Sequence, residues 1–154
     1  MADQIDGVWV KDLTVIPDER GRLMEILRGD EEGFLRFGQV YMTTTYPGVV
    51  KAWHLHKVQH DNFCCVKGMV KLVLYDARDD SPTRGTLTEY FLGDHGHQLV
   101  RVPPGVYHGW KCISESEAIV VNIPTEPYNR EAPDEYRAAW NTPDIPYSWD
   151  VVFK

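Results

Sequence analysis

The stretch Gly48–Gly68, GVVKAWHLHKVQHDNFCCVKG, decides how the chain is read. His54 and His56 stand two residues apart, Asp61 follows, and a glycine bounds the segment at each end. In an extended strand, side chains two apart project from the same face. His54 and His56 are therefore expected to point together into whatever that face encloses. A second stretch, Val102–Trp110 (VPPGVYHGW), delivers His108 just after a Pro-Pro-Gly turn. The rest of the chain is expected to be a scaffold that gathers these imidazoles into one cavity.

Composition sets the bounds. A chain of 154 residues is long enough for one domain, residues 1–154, with a sizeable core. Apolar residues at 43% and charged residues at 25% are globular values. The net charge of -7 argues against nucleic acid or a membrane surface as a partner. An anionic ligand then needs a local basic patch. Cys64, Cys65 and Cys112 do not form the pattern of a disulfide framework. The opening MADQIDGVWV lacks the basic and apolar regions of a signal peptide. No apolar run approaches the roughly 20 residues of a membrane span. The expected location is the cytoplasm.

In chain order the pattern is mostly β. Val8–Ile16 reads as strand and ends in a turn at Pro17–Gly21. Arg22–Arg28 fits either strand or helix. Phe37–Tyr46 is rich in Thr and Tyr and reads as strand. Strands follow at Val49–Leu55, Asn62–Lys67 and Met69–Ala77. In the last of these Val70, Leu72 and Leu74 fall on one face, with Lys71, Val73 and Tyr75 on the other. Asp79–Gly85 is a loop. Leu87–Leu92, Gln98–Val102 and Ala118–Ile123 complete the strands. Short strands between Gly, Pro and Asp turns predict an antiparallel sandwich or barrel. The tail from Pro124 predicts an extended wrap with one short helix at Asp134–Trp140.

Side-chain chemistry leaves two site readings open. His54, His56, Asp61 and His108 are three imidazoles and a carboxylate, a set suited to one divalent Zn, Fe, Mn or Ni ion. The same groups also serve acid–base chemistry without any cofactor. His56 and Gln59 are expected to line the cavity, and Tyr107 and Tyr128 to reach a base or sugar. His60, His95 and His97 are expected at the surface. Trp53, Trp110, Trp140 and Trp149 are expected in the core, with one of Cys64 and Cys65 beside them.

The first stretch, with one residue between His54 and His56, four between His56 and Asp61 and six between Asp61 and Gly68, resembles the first cupin motif with Asp in place of Glu. Gly96, Pro103, Gly105 and His108 approximate the second motif. The resemblance implies an all-β cupin fold, a double-stranded β-helix or jelly roll. Further blocks narrow it: Asp18–Gly21 with Glu25, Gln39, Lys51–His54, Asp76–Arg78 with Ser81–Gly85, Pro103–Trp110, and Thr142–Trp149. These run in order over most of the chain and resemble the dTDP-4-dehydrorhamnose 3,5-epimerase family.

That resemblance implies base-catalysed epimerisation of a nucleotide-linked 4-keto-6-deoxy sugar, with a dTDP-sugar as ligand, in deoxysugar or polysaccharide biosynthesis. It places the base at His54 and an oxyanion partner at His108. It places diphosphate ligands at Arg20 and Lys51, and implies a homodimer with sheet exchange. Three family positions differ here. The active-site lysine falls on Asp61, the proton-donating tyrosine near Asn122, and the carboxylate that pairs with the base near Thr142 or Asp144. A single epimerisation, a ketoisomerisation or a different substrate is therefore expected rather than full 3,5-epimerisation. A metal-dependent cupin enzyme and a non-catalytic sugar-nucleotide binder are the alternatives.

Overall fold

A computed structural model describes residues 4–153. The described residues form twelve strands and no helix: β1 (Trp9–Asp12), β2 (Val15–Asp18), β3 (Gly21–Met24), β4 (Tyr41–Thr45), β5 (Val50–Leu55), β6 (Asp61–Lys67), β7 (Met69–Asp76), β8 (Leu87–Gly93), β9 (Gln98–Val102), β10 (Val106–Cys112), β11 (Ala118–Asn122) and β12 (Tyr136–Arg137). One antiparallel sheet has the order β1-β9-β6-β11-β4 and a second the order β12-β5-β10-β7-β8. The hairpin β2–β3 stands apart as a two-stranded ribbon. This is the antiparallel sandwich that the strand pattern predicts and the jelly roll that the cupin resemblance implies.

The alternation along β7 shows why these strands form. Val70, Leu72 and Leu74 are each at most 1% exposed and fill the space between the sheets with Phe63, Val100, Val106 and Val120. Val73 lies on the opposite face under Trp53, Ile145 and Trp149. The C-terminal tail thus covers the outer side of the second sheet. The first sheet is covered likewise: Cys64 and Leu99 pack against Leu13, Met24 and Ile26. Cys64 and Cys65 alternate faces, and because both faces are covered, both are buried. Gly68, at φ +72, makes the turn into β7, in a conformation that a residue with a Cβ adopts only under strain.

Several sequence expectations change. No helix forms at Asp134–Trp140; Tyr136 and Arg137 instead pair with Leu55 and His54 of β5. The physical reason is Asp134, whose carboxylate accepts the backbone N–H groups of Lys57, Val58 and Gln59 at 2.8, 2.9 and 3.0 Å. That anchor lays the following residues along the strand edge. The Val8–Ile16 strand is broken at Leu13, whose N–H turns to the His97 carbonyl at 2.8 Å. Strand structure begins only at Tyr41 because Gly38 donates to the Pro124 carbonyl. Trp140 is 57% exposed rather than core, and the tail uses its carbonyl to hold Trp149 Nε1 at 3.2 Å. Among the described residues no helix is long and apolar enough to cross a membrane.

The block from Asp76 to Gly85 is a structural knot. The buried Asp76 carboxylate accepts from Arg78 Nε (2.9 Å) and Nη2 (2.8 Å), Ser81 Oγ (2.5 Å) and Thr83 Oγ1 (2.7 Å). Burial favours the neutral acid, but these donors outweigh it and hold the carboxyl well below the usual range. The folded pKa therefore lies under the unfolded value of about 3.9, so the stabilisation is full above that value and is lost as pH falls below it. Asp76→Asn is expected to cost about 1–3 kcal/mol at pH 7. Urea unfolding of both proteins at pH 7 and pH 3 checks this: the gap should narrow at pH 3, and a gap independent of pH would contradict it.

Candidate active site

One end of the sandwich holds a cavity of about 350 Å³ between the two sheets, within the range of small-molecule sites. Tyr41, Thr43, Asp61 and Phe63 line it from the first sheet; Lys51, His54, His108 and Trp110 line it from the second. His56 and Gln59 enter from the β5–β6 connection, and Gln39, Tyr128, Asp134 and Glu135 form the rim.

The two strands that carry the imidazoles are neighbours. His108 of β10 lies opposite His54 of β5 in register, and their rings stack with centroids 6.1 Å apart. The register then slips before Trp110 pairs with Lys51. In a regular strand residues 51 and 54 face opposite sides. The slip is a bulge-like irregularity, and with it both side chains reach the cavity. Lys51 Nζ donates to Thr43 Oγ1 at 2.8 Å and to the Thr44 carbonyl at 2.6 Å, which ties the two sheets together.

Asp61 is the buried centre of the site, its side chain 1% exposed. Its Oδ1 accepts from Gln59 Nε2 and from Asn122 Nδ2, both at 2.9 Å. Its Oδ2 lies 3.0 Å from His56 Nε2 and 3.2 Å from His108 Nε2. The other nitrogens of the two rings meet backbone carbonyls, His56 Nδ1 at Asp134 and His108 Nδ1 at Val106. Burial opposes the Asp61 charge, but His108 and His56 beside it hold the carboxyl far below its ordinary value. Burial likewise opposes a charge on His56, and the adjacent Asp61 reverses the balance and moves its pKa up.

His54 is electrostatically different. Burial, then the neighbouring His108 and Arg137, push it down to about 4. Its ring is neutral near pH 7, with a lone pair for a proton. Below the ordinary value of about 6.5, it is a weaker base than the sequence alone suggests. Its Nδ1 lies 3.6 Å from Glu135 Oε1. This carboxylate stands where the resemblance points to Thr142 or Asp144, and those two lie on the tail, half-buried and exposed respectively and bonded to each other. Asn122 donates through Nδ2 to the Tyr41 hydroxyl at 2.9 Å, leaving that phenolic O–H free to donate in turn.

The structure thus gathers His54, His56, Asp61, His108, Lys51, Gln59 and Tyr128 at one cavity, whereas Asn122 is fully buried behind Asp61 and reaches the cavity only through its hydrogen bonds to Asp61 and Tyr41. Arg20 is not brought there: it sits at the tip of the β2–β3 hairpin, its side chain 85% exposed and paired with Asp18. Tyr107 packs outward under the tail instead of facing the cavity. Tyr41, Glu135 and Asp134 escaped sequence reasoning. Tyr41 carried only the signal of strand pairing, because it lies opposite Asn122 in register. Glu135 carried none, since only the pinned tail delivers it.

The model of the family described as dTDP-4-dehydrorhamnose 3,5-epimerase matches residues 2–154. The chain is 42% identical over 149 residues to a probable low-salt glycan biosynthesis epimerase of Haloferax volcanii, covering 96% of each chain. It is 38% identical over 150 residues to the spore coat polysaccharide biosynthesis protein SpsL of Bacillus subtilis, covering 97% of this chain and 99% of that one. The crystal structure of a dTDP sugar isomerase from Desulfovibrio desulfuricans superposes with a TM-score of 0.90 at 34% identity, over 94% of this chain and 92% of that chain.

The rim depends on Asp134. Removing its carboxylate in Asp134→Ala leaves three backbone N–H groups without their acceptor and is expected to cost about 1–3 kcal/mol. Amide hydrogen exchange should quicken at Lys57, Val58 and Gln59 and along Tyr136–Arg137. Unchanged protection there would contradict the anchoring role.

Proposed function

Because the chain belongs to the dTDP-4-dehydrorhamnose 3,5-epimerase family, we propose that it epimerises or isomerises a nucleotide-linked 4-keto-6-deoxy sugar, a dTDP-sugar above all, in the assembly of a cell-surface glycan. The observation that carries the reading is the presence of a half-buried neutral imidazole, His54, and the Tyr41 phenol in one sugar-sized cavity. A 4-keto group acidifies the C–H bonds on the neighbouring ring carbons. His54 takes such a proton through Nε2, while Glu135 beside Nδ1 favours that tautomer and steadies the imidazolium that forms. The bonding electrons move onto the ketone oxygen as an enolate.

His108 is not free to meet that oxygen alone, since its Nε2 is turned to Asp61. The His56–Asp61–His108 group meets it as a unit. Tyr41 then returns a proton to the carbon from the other side and regains one from water, while His54 gives its proton up to water. It supplies from β4 the phenol that the family resemblance places at Asn122 of β11. In this reading Lys51 and Tyr128, which line the cavity, hold the nucleotide end.

Arg20 contributes only from another copy, so the reading includes a homodimer in which the hairpin of one chain reaches the cavity mouth of its partner. Ile16 and Leu23 on that hairpin are each 58% exposed, as an intermolecular ribbon requires. Light scattering at micromolar concentration should give twice the chain mass; a monomer would contradict this arrangement.

Incubation with a dTDP-4-keto-6-deoxy sugar in D₂O, followed by NMR of the ring protons, tests the chemistry. Wild type should exchange a proton next to the ketone. His54→Ala should slow this by at least about 10²-fold, while His95→Ala leaves it unchanged. Tyr41→Phe should keep exchange but lose net inversion. Undiminished exchange in His54→Ala would overturn the assignment, and no exchange in wild type would leave only a sugar-nucleotide binder.

A further inference from the structure

The three atoms at the centre of the cavity pose a problem of hydrogen count. Carbonyl oxygens only accept, so the Nδ1 atoms of His56 and His108, facing Asp134 and Val106, carry the ring hydrogens. In each neutral ring Nε2 is then a bare lone pair. Each Nε2 lies against Asp61 Oδ2, at 3.0 and 3.2 Å. Gln59 and Asn122 occupy Oδ1 and fix the carboxylate rotamer, so the buried Oδ2 depends on the two rings and on what lies between them. Three possible ligand atoms, all within 4.8 Å of one another, converge on one point, which a proton on a ring or a cation between them must hold together.

We propose that His56 Nε2, Asp61 Oδ2 and His108 Nε2 bind one divalent first-row transition-metal ion, with its remaining coordination positions open to the cavity. Ligand atoms about 2.0–2.2 Å from an ion and at right angles to each other lie roughly 3 Å apart, which is the spacing observed between Asp61 and each ring. Two imidazoles and a carboxylate suit Mn, Fe, Ni or Zn. Each histidine has the outer support that metal-binding rings use, an Nδ1–H held by a backbone carbonyl. Asp134 is itself anchored by three amides, so the carbonyl behind His56 is fixed. His54 is not part of the cluster, which separates its work from that of the ion. Resting on the function proposed above, the ion is the cation that the ketone oxygen faces as it gains negative charge.

A proton on either Nε2 is the competing way to relieve the same repulsion, and the experiment separates the two. The full chain is purified without added metal and assayed for metal content. It is then stripped with dipicolinate and titrated with Mn²⁺ by EPR and with Zn²⁺ by calorimetry, in the absence of substrate. One ion per chain is expected. Asp61→Asn and His108→Ala should each weaken binding by at least about 100-fold, while His54→Ala and His95→Ala should keep one ion per chain. Circular dichroism establishes that each variant is folded. Should the Asp61 or His108 variants not fold, pulsed EPR of Mn²⁺ on the wild type still decides, since it should show imidazole nitrogens coupled to the ion.

No ion bound by the wild type at millimolar Mn²⁺ and Zn²⁺ would overturn the site. So would binding that Asp61→Asn leaves intact, or bound Mn²⁺ without nitrogen coupling. Because binding is read without substrate, the two readings fail separately. A protein that binds one ion but exchanges no sugar proton keeps this site and loses the epimerase reading. A protein that exchanges protons while binding no ion does the reverse.

Discussion

The burial of the Asp61 carboxylate is the constraint on which the site depends. An ionised carboxylate away from water is costly unless every lone pair meets a donor or a cation. Asp61 opens β6 in the first sheet, and its neighbours come from both layers: Asn122 from the first, His108 from the second, and His56 and Gln59 from the connection between them. Satisfying this one charge fixes the distance between the sheets where the cavity opens. It also fixes the ring planes of His56 and His108, because each must present Nε2 to Asp61 and Nδ1 to a carbonyl. A site built on strands in this way holds its geometry more closely than one built on loops.

The tail performs the complementary task. The Asp134 carboxylate clamps the backbone of residues 57–59, and its carbonyl meets His56. The next residue, Glu135, stands beside His54. One pinned dipeptide therefore supports two histidines with opposite electrostatic character. His56 is drawn toward its charged form by Asp61, whereas burial keeps His54 neutral. Neighbouring groups pushed apart in this way are the usual means by which one pocket keeps a free base beside a positive centre. The aromatic packing of Trp53, Tyr147 and Trp149 holds the same tail down over the second sheet.

The spacing of His54, His56 and Asp61 and the Pro-Pro-Gly turn before His108 were enough to predict that these side chains meet at one cavity, because strand periodicity and turn chemistry are local. The strand pattern of β7 was legible for the same reason. What could not be read depends on distant pairing. Glu135 reaches His54 only after Asp134 has been captured by amides 75–77 residues before it. Its Pro-, Asp- and Glu-rich surroundings suggested a helix start just as well. Tyr41 meets Asn122 through interstrand register, which no single-strand pattern encodes. Lys51 joins His54 through a register slip that breaks the period of two. Arg20 was legible as a motif residue, but its place on a detached hairpin was not.

The central claim is that this cavity holds the sugar with its ketone-adjacent carbon at His54. The most direct measurement is a crystal structure with the unreactive 4-hydroxy analogue of a dTDP-4-keto-6-deoxy sugar. The expected result places the pyranose between Tyr41 and His54, with a ring carbon next to C4 about 3–3.5 Å from His54 Nε2. The C4 oxygen should face the His56–Asp61–His108 group. A pyranose bound outside the cavity, or one that leaves His54 out of reach of every ring carbon, would contradict it.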